Sequence, residues 1–246
     1  MSHDLGLLRL AALNIDGVLL NDTFSPVIHG FVVGRGGVYS AATEREIFSQ
    51  PQHVAGERMA AAVPQELTGE EALAAYFEER DAYLVDHPVV VDEGAIALVR
   101  RLRAQGLRTV CYGGLSAAHF DRFLGTWADL FDGPGYVCTN TVRPGIREIT
   151  TEVFGLDHGE VLFVDDVARV AEAARELDVP FIGRPTSYEH SFQRQLMHEA
   201  GVRHLVSSLD EIDEHLVRTL DSEAARGTVW TGAREASLEP VPARTA

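Results

Sequence analysis

Apolar and polar residues alternate in blocks along this chain, and the blocks predict its strands and helices. Mostly apolar runs at residues 7–15, 107–112 and 160–166 are each bounded by polar residues or glycine, which is typical of strands covered on both faces. A fourth run, 179–183, follows shortly after the third. Because helical patterns separate these runs, we expect an α/β fold built on a doubly wound parallel sheet.

Three segments between the strands carry helical patterns. Residues 92–106 and 166–177 place apolar side chains at helical spacing, and the first of these segments ends on a glycine, as helices often do. Residues 144–155 open with Pro144, which is suited to the first position of a helix, and close on a glycine. These helices would connect neighbouring parallel strands.

The alternation of strands and helices is interrupted between residues 22 and 88. Residues 70–84 have apolar positions at helical spacing, and residues 58–63 are rich in alanine. We therefore expect a mainly helical insertion directly after the first strand. Beyond residue 219 the chain consists mostly of small and polar residues, which predicts a flexible C-terminal tail.

The acidic composition limits the classes of partner. The chain has 37 Asp and Glu against 21 Lys and Arg, a formal net charge of -16. Nucleic acids and anionic membranes attract basic surfaces, so neither is expected as a partner, whereas a few local cations or backbone N–H groups suffice for a phosphate. No apolar run approaches the ~20 residues that span a bilayer, and the first residues lack the features of a signal peptide. We expect a cytoplasmic protein with a small anionic or phosphorylated ligand, and the oligomeric state stays open.

Polar residues and glycines follow the ends of the predicted strands. They are Asn14 and Asp16 after the first strand, Gly113 and Gly114 after the second, and Asp165 and Asp166 after the third. Because parallel strands end at the same edge of a sheet, where ligands of α/β proteins bind, we expect these residues to converge. Arg143 precedes the predicted helix that leads into the third strand. The sequence thus predicts a site with three carboxylates and one cation.

The order of these motifs resembles the haloacid dehalogenase (HAD) superfamily, whose members are mostly Mg²⁺-dependent phosphohydrolases. The stretch "NIDGVL" at 14–19 is similar to the family's first motif, and "VDD" at 164–166 is similar to its acidic pair. The resemblance covers residues 7 to about 216 and implies a Rossmann-like core with a helical cap. The implied organisation is a core of residues 1–21 and 89–218, a cap of residues 22–88 and a flexible tail of residues 219–246.

The resemblance assigns catalytic roles, from which the chain departs at three positions. In the family the first aspartate attacks phosphorus to form an aspartyl-phosphate, and the acid two residues later protonates the leaving group and then activates water. Asp16 matches the second acid, but Asn14 stands in the place of the nucleophile, and a carboxamide is a very poor nucleophile. Gly113 replaces a Ser or Thr that would bind the phosphoryl group, and Arg143 replaces a Lys.

The resemblance also implies a Mg²⁺ site and a substrate site. The implied metal ligands are Asn14, Asp16, Asp165 and Asp166. Since Mg²⁺ prefers carboxylate oxygens, the amide of Asn14 should weaken its binding. The expected substrate-binding residues are Gly113, Gly114 and Arg35. Arg35 belongs to the glycine-rich stretch 32–39, which could cradle an anion, although a hairpin or loop is favoured for it.

Three functions remain open from the sequence. The favoured one is a degenerate member, impaired in aspartyl-phosphate turnover, that binds a phosphorylated or anionic small molecule or a protein partner. The second is an active Mg²⁺-dependent hydrolase of the phosphatase class, either because Asn14 is an introduced substitution or because Asp16 activates water while Asp165 and Asp166 hold the metal. The third is an altered reaction in the same cleft, for instance in a specialised biosynthetic pathway.

Overall fold

A five-stranded parallel sheet forms the centre of the molecule. The computed structural model describes residues 5–231 of the chain. The strands are β1 (Leu10–Asn14), β2 (Arg108–Gly113), β3 (Tyr136–Cys138), β4 (Val161–Asp165) and β5 (Phe181–Gly183). Their order in the sheet is β3-β2-β1-β4-β5, and every neighbouring pair is parallel. The predicted α/β fold with a doubly wound parallel sheet is confirmed.

Two interior strands, β1 and β4, explain why the apolar runs in the sequence predict the sheet. Every residue of β1 and of β4 is buried, because helices cover both faces of the sheet. Side chains of alternate residues therefore enter two different apolar clusters, one on each face, as Ala12 and Leu13 of β1 do. A strand of this kind is apolar throughout and lacks alternation, which is the pattern in the sequence.

Nine α-helices surround the sheet within the described residues. They are α1 (Ser25–Gly34), α2 (Ala41–Ile47), α3 (Gln52–Ala61), α4 (Gly69–Asp86), α5 (Ala95–Ala104), α6 (Ala117–Leu124), α7 (Ala168–Glu176), α8 (Gln193–Glu199) and α9 (Glu214–Arg226). The patterns at 92–106 and 166–177 correspond to α5 and α7. Helices α1–α4 lie between β1 and α5, and we refer to residues 22–88, which contain them, as the helical segment.

The helix predicted at residues 144–155 is shorter than expected. Gly145 has a φ of +80°, which lies outside the right-handed helical region, so Pro144 cannot serve as the first residue of a continuous helix. A π-helical turn forms only at Glu148–Val153. The prediction of a helix beginning at Pro144 is therefore wrong.

Strand β3 was missed because it has little local signal. It comprises only three residues, and it pairs with β2 at the edge of the sheet. The chain before it makes a turn in which Gly133 and Gly135 both have positive φ. A short edge strand of this kind is specified by its partner more than by its own residues.

The glycine-rich stretch at 32–39 is not a hairpin. Its first residues complete α1, which ends at Gly34, and Gly36 then makes a turn with a φ of +77°. The apolar residues Val32 and Phe31 pack into the core, which accounts for the continuation of the helix. The sequence favoured a hairpin or a loop for this stretch. Residues 35–39 form a loop, and residues 32–34 belong to α1.

The flexible C-terminal tail was predicted to begin at residue 219, which lies inside helix α9. Helix α9 continues past residue 219 to Arg226, because Val217 and Leu220 are fully buried against the core. Beyond the helix, the indole Nε1 of Trp230 donates a hydrogen bond to the carbonyl of Val179 at 3.1 Å. Residues 232–246 of the predicted tail lie outside the described residues. Across residues 5–231 no helix combines the length and the apolar character needed to cross a membrane.

Candidate functional site

The first polar residues of the site are held at the end of β1 by a tight reversal of the chain. Gly17 has a φ of +82°, and its N–H donates to the carbonyl of Leu20 at 2.9 Å. A Cβ placed on Gly17 would lie 2.2 Å from the Oδ2 atom of Asp166, so a side chain here would collide with that carboxylate. Glycine thus allows the end of β1 to approach the end of β4.

Asn14 connects these two strand ends through its side-chain amide. The Nδ2 atom donates one hydrogen bond to the backbone carbonyl of Asp16 and one to the Oδ1 atom of Asp166, each at 2.8 Å. Asn14 is 5% exposed, and both amide hydrogens have an acceptor. The amide nitrogen therefore lies between two oxygen atoms that would otherwise face each other without a hydrogen-bond donor.

Asp16 is paired with a histidine that the sequence did not point to. Its Oδ1 atom is 2.9 Å from the Nε2 atom of His119, and both side chains are largely buried. His119 lies near the start of α6, which follows β2. No motif marks this histidine, because the pairing depends on how α6 packs beside the first motif.

The acidic pair after β4 is buried, and its two members have different partners. Asp165 accepts hydrogen bonds from the hydroxyl of Tyr112 at 2.5 Å and from the backbone N–H of Val167 at 2.8 Å. Burial raises the pKa of Asp165 to about 6, and the hydrogen bond from Tyr112 and the charge of Arg143 oppose that rise. Burial and the negative charge of Asp165 raise the pKa of Asp166 well above its usual range. The pair therefore favours retaining a proton.

A cavity lies above this edge of the sheet, between the core and the helical segment. Five of the predicted site residues line it: Asn14, Asp16, Gly114, Arg143 and Asp166. The guanidinium of Arg143 donates a hydrogen bond to Thr139 Oγ1 at 3.3 Å. It also lies close to Gly114, since a Cβ placed on Gly114 would be 3.6 Å from the Cζ atom of Arg143. Within the described lining, Arg143 is the single cationic side chain. The structure thus brings one cation and several acids to one cavity.

Two predicted residues lie behind the cavity wall. Asp165 faces Tyr112 and does not line the cavity. Gly113 does not line it either, and a Cβ placed there would be 2.5 Å from the Cγ2 atom of Ile15. Since Ile15 fills the space beside it, Gly113 is required for packing, and a Ser or Thr would need the neighbouring side chain to move.

Arg35 is not brought to the cavity. Its guanidinium is 2.5 Å from a carboxylate oxygen of Glu79 and lies 3.9 Å from the centroid of the Phe31 ring. These contacts keep the side chain at the junction of α1 and α4, away from the cavity lining. The expectation that Arg35 binds substrate is therefore not supported by its position.

Several residues of the cavity were not found by sequence reasoning because they come from loops. The α2–α3 loop contributes Ser49 and Gln50, and the first residue of α3, Gln52, contacts the core. The backbone N–H of Gln52 donates to Asn140 Oδ1 at 2.9 Å, and its side chain donates to the carbonyl of Gly114 at 3.3 Å. These contacts are long-range, so no local pattern reveals them.

The side chains of the site do not fit a Mg²⁺ ion in this arrangement. The Asn14 amide nitrogen occupies the space between the Asp16 carbonyl and Asp166, where the resemblance implies a cation. The carboxylate of Asp16 is paired with His119, and that of Asp165 is held by Tyr112 and Val167. Over the described part of the chain, no group of three or more His, Cys, Asp or Glu side chains could hold a metal ion. The remaining carboxylate of the predicted metal ligands, that of Asp166, accepts a hydrogen bond from the Asn14 amide through its Oδ1 atom.

Comparisons with known proteins give similarity of structure without close similarity of sequence. No family model and no curated protein matches the chain. A haloacid dehalogenase-like protein of unknown function from Agrobacterium tumefaciens superposes with a TM-score of 0.62 at 18% identity, covering 86% of this chain and 99% of that one. A phosphonoacetaldehyde hydrolase-like protein from Oleispira antarctica gives a TM-score of 0.63 at 15% identity, covering 91% and 96%.

A third similar structure contains a ligand. It is an Asp-to-Asn variant of CbbY from Rhodobacter sphaeroides in complex with xylulose-(1,5)-bisphosphate, with a TM-score of 0.56 at 15% identity, covering 84% of this chain and 96% of that one. At these identities the likeness concerns the fold alone. The chain has the haloacid dehalogenase-like fold.

Proposed function

We propose that this chain binds a phosphorylated or otherwise anionic small molecule at the edge of its sheet and is impaired in turnover through an aspartyl-phosphate. The observation that carries this proposal is the position of Asn14, whose amide bridges Asp16 and Asp166. A carboxamide with both N–H groups engaged is neither a nucleophile nor readily moved towards phosphorus. The departure at this position therefore removes the covalent step while the cavity remains.

The anion-binding end of the cavity would be formed by Arg143 and its neighbours. A guanidinium binds phosphate through two parallel hydrogen bonds. The hydrogen bond of Arg143 to Thr139 uses one of its five N–H groups, so other N–H groups can form such a pair. Retention of a proton by the buried acidic pair lowers the negative charge near the anion. Support for the ligand class comes from the CbbY variant, since its bound xylulose-(1,5)-bisphosphate is a phosphorylated small molecule.

The helical segment would act as the cap of this site. Residues of α1, α3, α4 and the α2–α3 loop line the cavity, and Gln52 joins the segment to Asn140 and Gly114 of the core. A ligand between the two parts would be largely shielded from water. We propose the division into a core of residues 1–21 and 89–218 and a cap of residues 22–88 on this basis.

Magnesium is not required for the proposed binding. The carboxylate of Asp16 is already paired with His119, and the Asn14 amide holds the Asp166 carboxylate without a metal. We expect the affinity for Mg²⁺ to be weak, and we expect ligand binding to be the same with and without Mg²⁺.

A second candidate function is hydrolysis without the covalent intermediate. The pair of Asp16 and His119 favours it, because a carboxylate beside an imidazole at a cavity could take a proton from water. Under this alternative, Asp16 would activate water for direct attack on the ligand. The two candidates differ in whether the chain with Asn14 releases phosphate.

The test measures phosphate release and binding side by side. The chain, its Asn14→Asp variant and its Arg143→Gln variant are assayed on a panel of phosphorylated metabolites with Mg²⁺, and binding of inorganic phosphate is measured by calorimetry. We expect no turnover by the chain with Asn14, and a loss of affinity of about tenfold or more in Arg143→Gln. Turnover that is abolished by Asp16→Asn would favour the second candidate. Anion binding that is unchanged in Arg143→Gln would contradict the proposed site.

A further inference from the structure

The part of the cavity formed by the helical segment is mainly apolar. Its wall contains side chains from α1, α3, α4 and the loops beside them, namely Phe24, Ile28, Phe48, Met59, Leu73 and Phe77. A wall of this kind favours a ligand whose body is apolar, since each apolar group that leaves water there gains free energy. A sugar body would bring several hydroxyl groups against side chains that cannot bond them.

Three buried polar atoms of residues that line the cavity have no hydrogen-bond partner among the described residues. They are Asp22 Oδ2, Ser49 Oγ and the hydroxyl of Tyr76, and all three residues line the cavity. Burial raises the pKa of Tyr76 well above its ordinary value, so its phenol remains a neutral donor. Buried polar atoms are nearly always paired in folded proteins, so an unpaired atom beside a cavity is a position at which a ligand can supply the missing partner.

Ser49 is also held in an unusual backbone conformation. Its φ is +55°, in the left-handed region that non-glycine residues rarely adopt, and its side chain is 6% exposed. Residues in this region cluster at ligand-binding loops, where the surrounding structure holds them in place. Here the contacts of Gln52 with Asn140 and Gly114 fix the loop that follows Ser49.

We propose that the ligand combines an anionic group with a compact apolar body that carries one hydroxyl or similar polar group. Arg143 binds the anionic group, the apolar wall packs against the body, and a polar atom of Asp22, Ser49 or Tyr76 bonds its single polar group. An aryl or branched alkyl phosphate has this chemistry, and a polyhydroxylated sugar phosphate does not. The assignment of the anionic end rests on the proposed function.

Calorimetric titrations with a series of phosphonates and one sugar phosphate test this assignment. The probes are methylphosphonate, benzylphosphonate, the three hydroxybenzyl phosphonate isomers and glucose 6-phosphate. We expect benzylphosphonate to bind about tenfold tighter than methylphosphonate, and one of the hydroxybenzyl isomers to bind tighter still. Glucose 6-phosphate is expected to bind no tighter than methylphosphonate.

Two variants locate the polar group of the ligand. In Tyr76→Phe and Ser49→Ala, the advantage of the best hydroxybenzyl isomer over benzylphosphonate should fall about tenfold in at least one of the two, while the affinity for benzylphosphonate itself stays constant. Ser25→Ala is the matched control, because Ser25 Oγ is also buried without a described partner but does not line the cavity. It should leave every affinity unchanged.

The outcomes separate this inference from the function on which it rests. If methylphosphonate binds through Arg143 but glucose 6-phosphate binds tighter than benzylphosphonate, the ligand class is wrong and the anion site stands. Equal affinities of methylphosphonate and benzylphosphonate would also overturn the apolar class. If none of the anions binds, the proposed function itself fails, and this inference fails with it.

Discussion

At the scale of single residues, the site depends on which side-chain atom meets which acceptor. Asn14 and an aspartate have nearly the same shape, yet only the amide can donate to both Asp16 and Asp166. The same distinction applies to Tyr112, whose hydroxyl is the donor for the buried Asp165. Replacing the Asn14 amide nitrogen by oxygen would turn an attraction into a repulsion, and removing the Tyr112 hydroxyl would abolish the hydrogen bond to Asp165.

The variant Asn14→Asp should exchange hydrogen bonding for metal binding. Without a metal its carboxylate would face Asp166 and a carbonyl, so we expect a loss of about 2 kcal/mol in the free energy of unfolding. Added Mg²⁺ should restore that stability, because two carboxylates then face a common point. Thermal unfolding with and without MgCl₂ measures both effects.

Asn140→Asp is the control for this experiment. Asn140 also lies at the cavity, but its Oδ1 atom accepts a hydrogen bond from Gln52 N, and a carboxylate can do the same. It should show no response to Mg²⁺. An Asn14→Asp variant that is as stable as the original chain and insensitive to Mg²⁺ would contradict the role assigned to the amide.

Two tyrosine variants compare a paired hydroxyl with an unpaired one. Tyr112→Phe removes the donor to Asp165 and leaves a buried carboxylate oxygen without a partner, so we expect a loss of about 1.5–3 kcal/mol. Tyr76→Phe removes a buried hydroxyl that has no described partner, so its effect should be close to zero. Chemical denaturation at pH 7 distinguishes the two, and equal losses would argue against the hydrogen bond from Tyr112.

At the scale of elements, a carboxylate on α9 connects this helix to the segment that precedes β1. Asp221 of α9 accepts hydrogen bonds at 2.8 Å from the backbone N–H groups of Gly6, Leu7 and Leu8, just before β1. Burial alone would raise the pKa of Asp221, but these backbone hydrogen bonds lower it. The charged form therefore stabilises the docking of α9 against the start of the sheet.

Asp221→Asn should remove a pH-dependent contribution to stability. Because the pKa of Asp221 is lower in the folded chain, its contribution is present above the ordinary aspartate pKa of about 4 and is lost as the pH falls through the folded value. We expect the variant to be about 1 kcal/mol less stable at pH 7, with the difference shrinking below pH 4. Urea unfolding across pH 3–7 tests this, and the exposed Asp129→Asn serves as control. A difference that is independent of pH would exclude the charged contact.

At the scale of the whole molecule, the helical segment and the core share one apolar cluster and several polar contacts. The cluster contains Phe31 from the helical segment together with Phe163 from the sheet. Glu44 of α2 is fully buried, and its carboxylate accepts hydrogen bonds at 2.8 Å from Ser191 Oγ and from the backbone N–H of Phe192. This carboxylate connects the helical segment to the loop before α8.

Glu44→Gln should weaken that connection. An amide can accept from one of the two donors and presents its own N–H groups to the other, so we expect a loss of about 1–3 kcal/mol. Hydrogen exchange should become faster at Phe192 and in α2. Glu46→Gln, on the same helix but exposed, should change neither measurement. Unchanged exchange at Phe192 would show that the contact does not hold the two parts together.

Much of the core could be predicted because its signal is local. Strands β1, β2, β4 and β5 are apolar runs buried in the sheet, and hydrophobicity alone marks them. The acidic motifs end those strands, so parallel geometry was enough to place Asn14 and Asp166 at one edge. The departure of Asn14, Gly113 and Arg143 from the residues of the family, which the resemblance implies, stays a prediction.

The remaining features depend on contacts between residues far apart in the chain. The bond between Asn14 and Asp166 spans 152 residues, and the pairing of Asp16 with His119 spans 103. Packing likewise determines the conformation of the loop that contains Ser49 and the position of the short strand β3. It also places the Arg35 side chain against Glu79 and away from the cavity. The sequence by itself determined the sheet and the edge at which the site lies. The apolar runs that form the strands, and the polar residues that follow them, are visible in short stretches of the chain. Only the tertiary structure decided the partners of each polar atom and the apolar wall of the cavity, because hydrogen bonds and close packing require atoms that the chain brings together on folding.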